Sequence, residues 1–293
     1  DIVSGGTFNL TDGEIYGNSP KQGTKGGAFY TEGNLNISGG SIHGNNSYMG
    51  GAIAVGIGGM TVITGGEIYS NSGRDGAGGA IRVDGGAVEF TGGSIHGNYA
   101  RAAGGAVFMT AGTFTMGGSA SMTDNSTELT TTGGGGAIRL QNSGSVIISG
   151  GTISNNTTGF QGGAIYVTDG NLCITGGVIA DNTAKYIGGV SFSSQGVFEM
   201  TGGRISGNSS TSNESKANGL SASSSDGLIS GGVISGNLGG VSLAGTFRIT
   251  GGTITGNGDE SGYYNRGLSV GGTVTMSGSA SVVNNIGSLN YSG

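Results

Sequence analysis

The amino-acid sequence predicts an all-β protein, a right-handed parallel β-helix of about eleven coils with three strands per coil, on three observations. First, the tract Gly-Gly-x-Ile-x-x-Asn returns along the whole chain. It reads GGSIHGN at 39–45 and 92–98, GGEIYSN at 65–71, GGTISNN at 150–156, GGVIADN at 176–182, GGRISGN at 202–208, GGVISGN at 231–237 and GGTITGN at 251–257. Second, the closing asparagines, with degenerate copies ending at Asn18, Asn125 and Asn285, recur at a mean period of about 27 residues, within the range of solenoids. Third, each period holds three short runs of alternating apolar residues, the pattern of strands with one buried face.

The repeat at 162–182 shows the runs in order: Ile165 and Val167, then Leu172 and Ile174, then Ile179 ahead of Asn182. The first recurs as Ile53/Val55, Ile81/Val83, Val107/Met109 and Ile138/Leu140, and the second as Phe8/Leu10, Leu35/Ile37, Val88/Phe90, Phe114/Met116 and Val146/Ile148. Glycine pairs between the runs supply positive φ at the sharp turns of a coil. The asparagine after the third run suits a stacked ladder, which satisfies buried amides that would otherwise cost about 1–3 kcal/mol each. Right-handed winding follows from the crossover rule for parallel sheets and from the absence of the six-residue spacing of left-handed hexapeptide helices. The period runs from end to end, so 1–293 reads as a single domain about 50 Å long. The long step 208→237 carries a polar insert near 209–227, expected outside the core, and the short step 237→257 implies a coil that has lost a strand or a loop.

Glycine supplies 70 of 293 residues, yet there is no Gly-X-Y triplet and Pro20 is the single proline, which excludes collagen. Charged residues are 10% of the chain and the net charge is −6, which leaves no basic footprint for nucleic acid or anionic lipid. The lone Cys173 excludes an internal disulfide and a cysteine zinc cluster. No apolar window has transmembrane length, so no membrane insertion by this segment is expected, and no signal peptide is visible. The chain starts at Asp1, the mark expected of a processed product or an excerpt. Little lysine, no tryptophan and abundant Ser, Thr, Asn and Gly fit a secreted, extracellular cell-surface protein.

The pairing of GGAIAV (50–55), GGAIRV (78–83), GGAIRL (135–140) and GGAIYV (162–167) with the GGxIxxN strand resembles adhesin-like surface proteins of bacteria and archaea. It resembles more loosely the repeats of chlamydial polymorphic membrane proteins, whose Phe-x-x-Asn motif this chain does not carry cleanly. The resemblance covers essentially the whole chain and implies a secreted or surface-bound body. It carries over no catalytic residue, because the shared positions are turn glycines and core aliphatics.

The first functional expectation is therefore a non-enzymatic structural or adhesive solenoid, with no catalytic residue, no metal and no cofactor. Two outward columns are its candidate glycan surface: Tyr16, His43, Tyr69 and His96 in consecutive coils, and Tyr30, Arg82, Phe108, Arg139 and Tyr166 on another face. Aromatic and polar side chains of this kind suit sugar rings. The bland alternative is that aromatic ladders simply stabilise parallel stacks. His43 and His96 stand two coils apart with Tyr69 in the coil between them, too far for a shared zinc. An enzyme reading, as polysaccharide lyase or glycosidase, rests on the columns Glu14/Glu67 and Glu89/Glu199, since glycosidases need paired carboxyls. Asp84 and Asp169 sit where turns favour Asp. An ice-binding reading lacks an unbroken threonine array. Finally, Phe8, Leu10, Val274 and Met276 are expected to mediate end-to-end association, since no cap is visible beside them.

Overall fold

The computed structural model describes residues 1–293 except 22, 213–217, 260–266, 287–289 and 292–293. The chain is a right-handed parallel β-helix of about 10 turns, with no helix among the described residues. In the coil expected at 162–182 the strands are Ile165–Val167, Asn171–Ile174 and Val178–Ala180. Each pairs in register with its counterparts one coil before and after, Ile165 for instance with Ile138 and Val190. The expected triad is joined by a short fourth strand just after the asparagine, here Thr183–Ala184. Seven such strands form a sheet of their own, from Asn46–Met49 to Ser209–Ser210.

Alternation decides what is buried. The column Ile42, Ile68, Ile95, Met122, Ile153, Ile179, Ile205, Ile234 and Ile254 fills the third wall and is sealed from solvent. Each such side chain contributes about 1.5–3 kcal/mol on burial. The wider second wall takes the rings Phe90, Phe114, Phe198 and Phe247. Phe198 and Phe247 approach to 6.0 Å because the residue between them in register is Gly227, where a Cβ would lie 2.2 Å from the Phe247 ring. That wall also buries Thr61, whose hydroxyl finds no partner among the described residues.

The two glycines of the GGAI turn have different tasks. Gly78 takes φ 79°, the left-handed region. Gly79 is constrained by proximity, since a Cβ there would stand 2.0 Å from the Gly105 carbonyl of the next coil. The residue before each ladder asparagine is also left-handed. It is Gly97 in one coil (φ 59°) and Asp124, Asn155 or Asp181 in others, residue types that tolerate this conformation well, with Ser70 (φ 51°) the exception before Asn71.

The asparagine column is a continuous hydrogen-bonded ladder, with ten consecutive links from Asn18 to Asn285. At its centre Asn156 Oδ1 accepts two bonds from the preceding coil, from Asn125 Nδ2 and from the Asn125 backbone N–H, each 2.9 Å. Asn156 Nδ2 donates to Asn182 Oδ1 at 2.9 Å and back to the Met122 carbonyl at 3.0 Å. The amide–amide link matches the sequence expectation, and the backbone N–H as second donor extends it.

Two boundaries need correction. The insert near 209–227 is not wholly outside the core. Ser209–Ser210 is a fourth strand, and Leu220–Ser235 returns to the wall with Leu220 and Ala222 buried. Residues 213–217 lie outside the described residues. The short step 237→257 lacks the fourth strand: only Leu238, Gly239 and Gly240 separate Asn237 from the strand Val241–Thr255.

The ladder sets a stability gradient along the chain. Asn156→Ala leaves the buried Asn125 backbone N–H without its acceptor and takes one of three acceptors from the Asn125 amide and one donor from the Met122 carbonyl, an expected loss of about 1–3 kcal/mol. Asn18→Ala, at the exposed end of the column, is expected to cost less than about 1 kcal/mol. Chemical denaturation of the two variants, followed by circular dichroism, checks the contrast.

Candidate functional site

The first candidate column is a face-to-face ring stack. Tyr16 and His43 lie 5.2 Å apart between centroids, His43 and Tyr69 4.7 Å, and Tyr69 and His96 5.2 Å, with interplanar angles of 5–7°. In-register strands alone dictate this, because like positions recur at the coil spacing. The ring faces are consumed by one another. The stack ends in Tyr16, 62% exposed, and in the half-buried His96, whose neighbour in the next coil is Thr123, while His43 and Tyr69 between them offer edges. The His43 Nε2 atom is buried without a partner among the described residues. The two imidazoles are separated by Tyr69, as the sequence implies.

The second candidate column does not form an exposed flat face. Phe108, Arg139 and Tyr166 are buried, and Tyr30 and Arg82 are half-buried. The reason is a ledge that hangs over the outside of the first wall. The segments joining the fourth strand to the next GGAI turn stack by bridges that link Lys25, Met49, Ala77, Ala103 and Gly134 in succession. Ala77, Ala102, Ala103 and Phe108 form a small second core beneath it. Sequence reasoning missed this ledge, since two-residue strands followed by Gly and Ala carry no periodic signal.

Between ledge and wall lies a cleft of about 440 Å³ with Arg82, Phe108 and Arg139 on the wall side, Tyr48, Met49, Thr132 and Gly133 on the ledge side, and Gln141 at its edge. Its arginines differ. Arg82 Nε is bonded to both Asp84 oxygens at 2.8 and 2.9 Å, and Asp84 also meets Lys25 Nζ at 3.1 Å and the Thr110 hydroxyl at 2.9 Å. Burial pushes the Asp84 carboxyl up, and Arg82, Thr110 and Lys25 together outweigh that, holding it below the ordinary carboxylate value. Asp84 is thus the anchor of a charge network rather than only a turn residue. Arg139 has no such anchor among the described residues. It stacks on the Tyr166 ring at 3.9 Å and gives one bond from Nη2 to the Thr168 hydroxyl, 3.0 Å.

The acidic candidates stay apart. Glu14 and Glu67 are two coils apart, and Glu89 and Glu199 belong to one column four coils apart. Glu199 instead neighbours Cys173, whose Sγ lies 3.8 Å from its carboxylate. Burial first, and then that carboxylate, raise the thiol's value, so it is a poor nucleophile. Among the described residues no group of three His, Cys, Asp or Glu could hold a metal ion. Likewise, no helix there is long and apolar enough to cross a membrane. Of the expected end contacts, Phe8 and Met276 are 40% and 46% exposed, whereas Leu10 is buried and Val274 packs partly against the core.

Compared with family models, with curated proteins and with solved structures, the chain matches none.

The charge network generates a pH prediction. Because the Asp84 carboxyl is depressed in the folded state, its stabilising contribution is complete above the unfolded value near 3.8 and is lost as pH falls through the lower folded value. Asp84→Asn is expected to lower stability by about 1.5–3 kcal/mol at neutral pH. The gap to the wild type narrows below about pH 4. Thermal unfolding at several pH values reads it directly.

Proposed function

We propose that the chain is a non-enzymatic structural or adhesive rod of an extracellular surface, contacting a carbohydrate partner through its N-terminal half. The observation that carries this reading is an asymmetry between otherwise equivalent coils. The ring stack, the cleft and its arginines all lie between Tyr16 and Tyr166. Beyond them the same columns become Thr123, Ser154, Ala180 and Ser206, and Ser191, Ser221, Ser242 and Ser269. Every coil needs its core and its ladder, but a purely mechanical rod needs no such change of surface. The resemblance to adhesin-like repeats agrees with this assignment. A carbohydrate-active enzyme would require paired carboxyls across a groove. The residues that line the cleft include no Asp or Glu.

Binding to an array of neutral and acidic oligosaccharides tests the reading. Tyr16→Ser is expected to weaken binding several-fold with an unchanged melting temperature, because its ring ends the stack. Tyr69→Ser is expected to lower both, because its ring is stacked on two sides. Turnover of a pectin or alginate that disappears on substituting one Glu or Asp would overturn the non-enzymatic assignment.

A further inference from the structure

Arg139 is a buried cation for which the described residues supply no counter-ion. It is 7% exposed, and its Nε and Nη1 atoms have no hydrogen-bond partner among the described residues. A guanidinium carries five N–H donors and remains charged in proteins. Here one donor is accounted for, by the Thr168 hydroxyl. Tyr166 supports the cation through its stacked ring and its hydroxyl, yet Nε and Nη1 keep no hydrogen-bond partner among the described residues. Leaving such donors buried and unpaired is costly, and native structures rarely do it without a reason.

The neighbouring arginine shows what is missing. Arg82 and Arg139 occupy the same column of the first wall, with Phe108 between them in register. Arg82 lies in the run Ile-Arg-Val-Asp, and the carboxylate two residues on, Asp84, receives its Nε bonds. Arg139 lies in Ile-Arg-Leu-Gln, so the position two residues on holds the neutral Gln141. The substitution removes the internal carboxylate and keeps the cation. Both Arg139 and Gln141 line the cleft described above, whose other walls are the Phe108 ring and the small residues Ala77, Ala103 and Gly133.

We propose that the cleft is a carboxylate-binding site in which a ligand carboxylate takes, at Arg139, the place that Asp84 takes at Arg82. Its volume of about 440 Å³ admits a ligand of sugar size. The apolar Phe108 and alanine wall suits the body of such a ligand, and the Gln141 amide is placed at the rim to meet its polar groups. The Nε and Nη1 atoms are covered by protein. Occupancy therefore requires the wall beside them to shift, and the glycine run 133–136, three of whose members have positive φ, is the part of the ledge with the least side chain to hold it. The ligand is the carboxylate of an acidic sugar or of a free small organic acid. This deepens the binding reading above by naming the chemical class, and it fails separately from it: neutral-glycan binding without carboxylate binding would leave the adhesive reading standing and remove this one.

The test is calorimetric titration of the folded protein with galacturonate, acetate and galactose. Saturable binding of the acids and none of galactose is expected. Tighter binding of galacturonate than of acetate identifies a sugar acid, and equal affinity identifies the carboxylate of a small acid as sufficient. Gln141→Asp restores the internal carboxylate in the Arg82–Asp84 arrangement. It is expected to weaken acid binding at least about tenfold, the loss of one charge-assisted interaction, while keeping or raising the melting temperature. Arg139→Gln is expected to weaken it similarly. No saturable binding of either acid by the wild type, or undiminished binding by a folded Gln141→Asp protein, overturns the proposal.

Discussion

Each ladder asparagine ties together three coils. Its carboxamide oxygen receives the amide and the backbone N–H of the asparagine before it, and its own amide reaches forward to the next carboxamide and back to a main-chain carbonyl. A slip of one residue in any coil would break several of these bonds in a place where water cannot replace them. The same slip would turn the third-wall isoleucines outward. Hydrogen bonding and burial therefore enforce one register between them. That shared register also places Tyr16, His43, Tyr69 and His96 above one another with nearly parallel rings.

The constraint falls unevenly along each coil. From the first-wall strand to the ladder asparagine the chain length hardly changes: Ile138 to Asn156 and Val241 to Asn257 differ by only two residues. From the asparagine to the next first-wall strand it changes freely: Asn125 to Ile138 is nine residues longer than Asn237 to Val241. The variable segment holds the fourth strand and the ledge. Length variation is thus confined to the stretch that no ladder bond fixes, and that stretch builds the roof of the cleft. A rigid scaffold with variable segments on one side is a common way to carry binding sites without loss of stability.

This division also explains what was legible beforehand. The three walls, the asparagine column and the ring column follow from alternation and period, because each recurrence of Ile, Phe or Asn reports the same burial. The fourth strand is not legible in that way: Thr183–Ala184 or Ser209–Ser210 is too short to alternate. The ledge is rich in Gly, Ala and Thr with isolated larger residues such as Tyr48 and Met49, so it looks like turn sequence, and its covering of Phe108, Arg139 and Tyr166 could not be foreseen from residues that alternate outward on an ordinary strand. Thr61 and Gly227 broke the second-wall pattern for opposite reasons, one a buried hydroxyl and the other a missing side chain that makes room for Phe247. The contrast between Ile-Arg-Val-Asp and Ile-Arg-Leu-Gln was visible in the sequence. It gained meaning only once burial showed that Arg139 has no water to replace the carboxylate that Arg82 retains.

An unpaired buried arginine would threaten a small globular domain, where one uncompensated charge can offset much of the net stability. In a solenoid each coil contacts chiefly its two neighbours, so stability is close to a sum of local terms. The coil of Arg139 is bounded by intact links, Asn125 to Asn156 on one side and Asn156 to Asn182 on the other, and its core positions Ile138, Leu140, Val146 and Ile148 are fully buried. The cost of the cation is therefore carried locally by coils that have stability to spare. The ladder that makes every coil alike is what permits one coil to differ, and the difference is concentrated where the cleft lies.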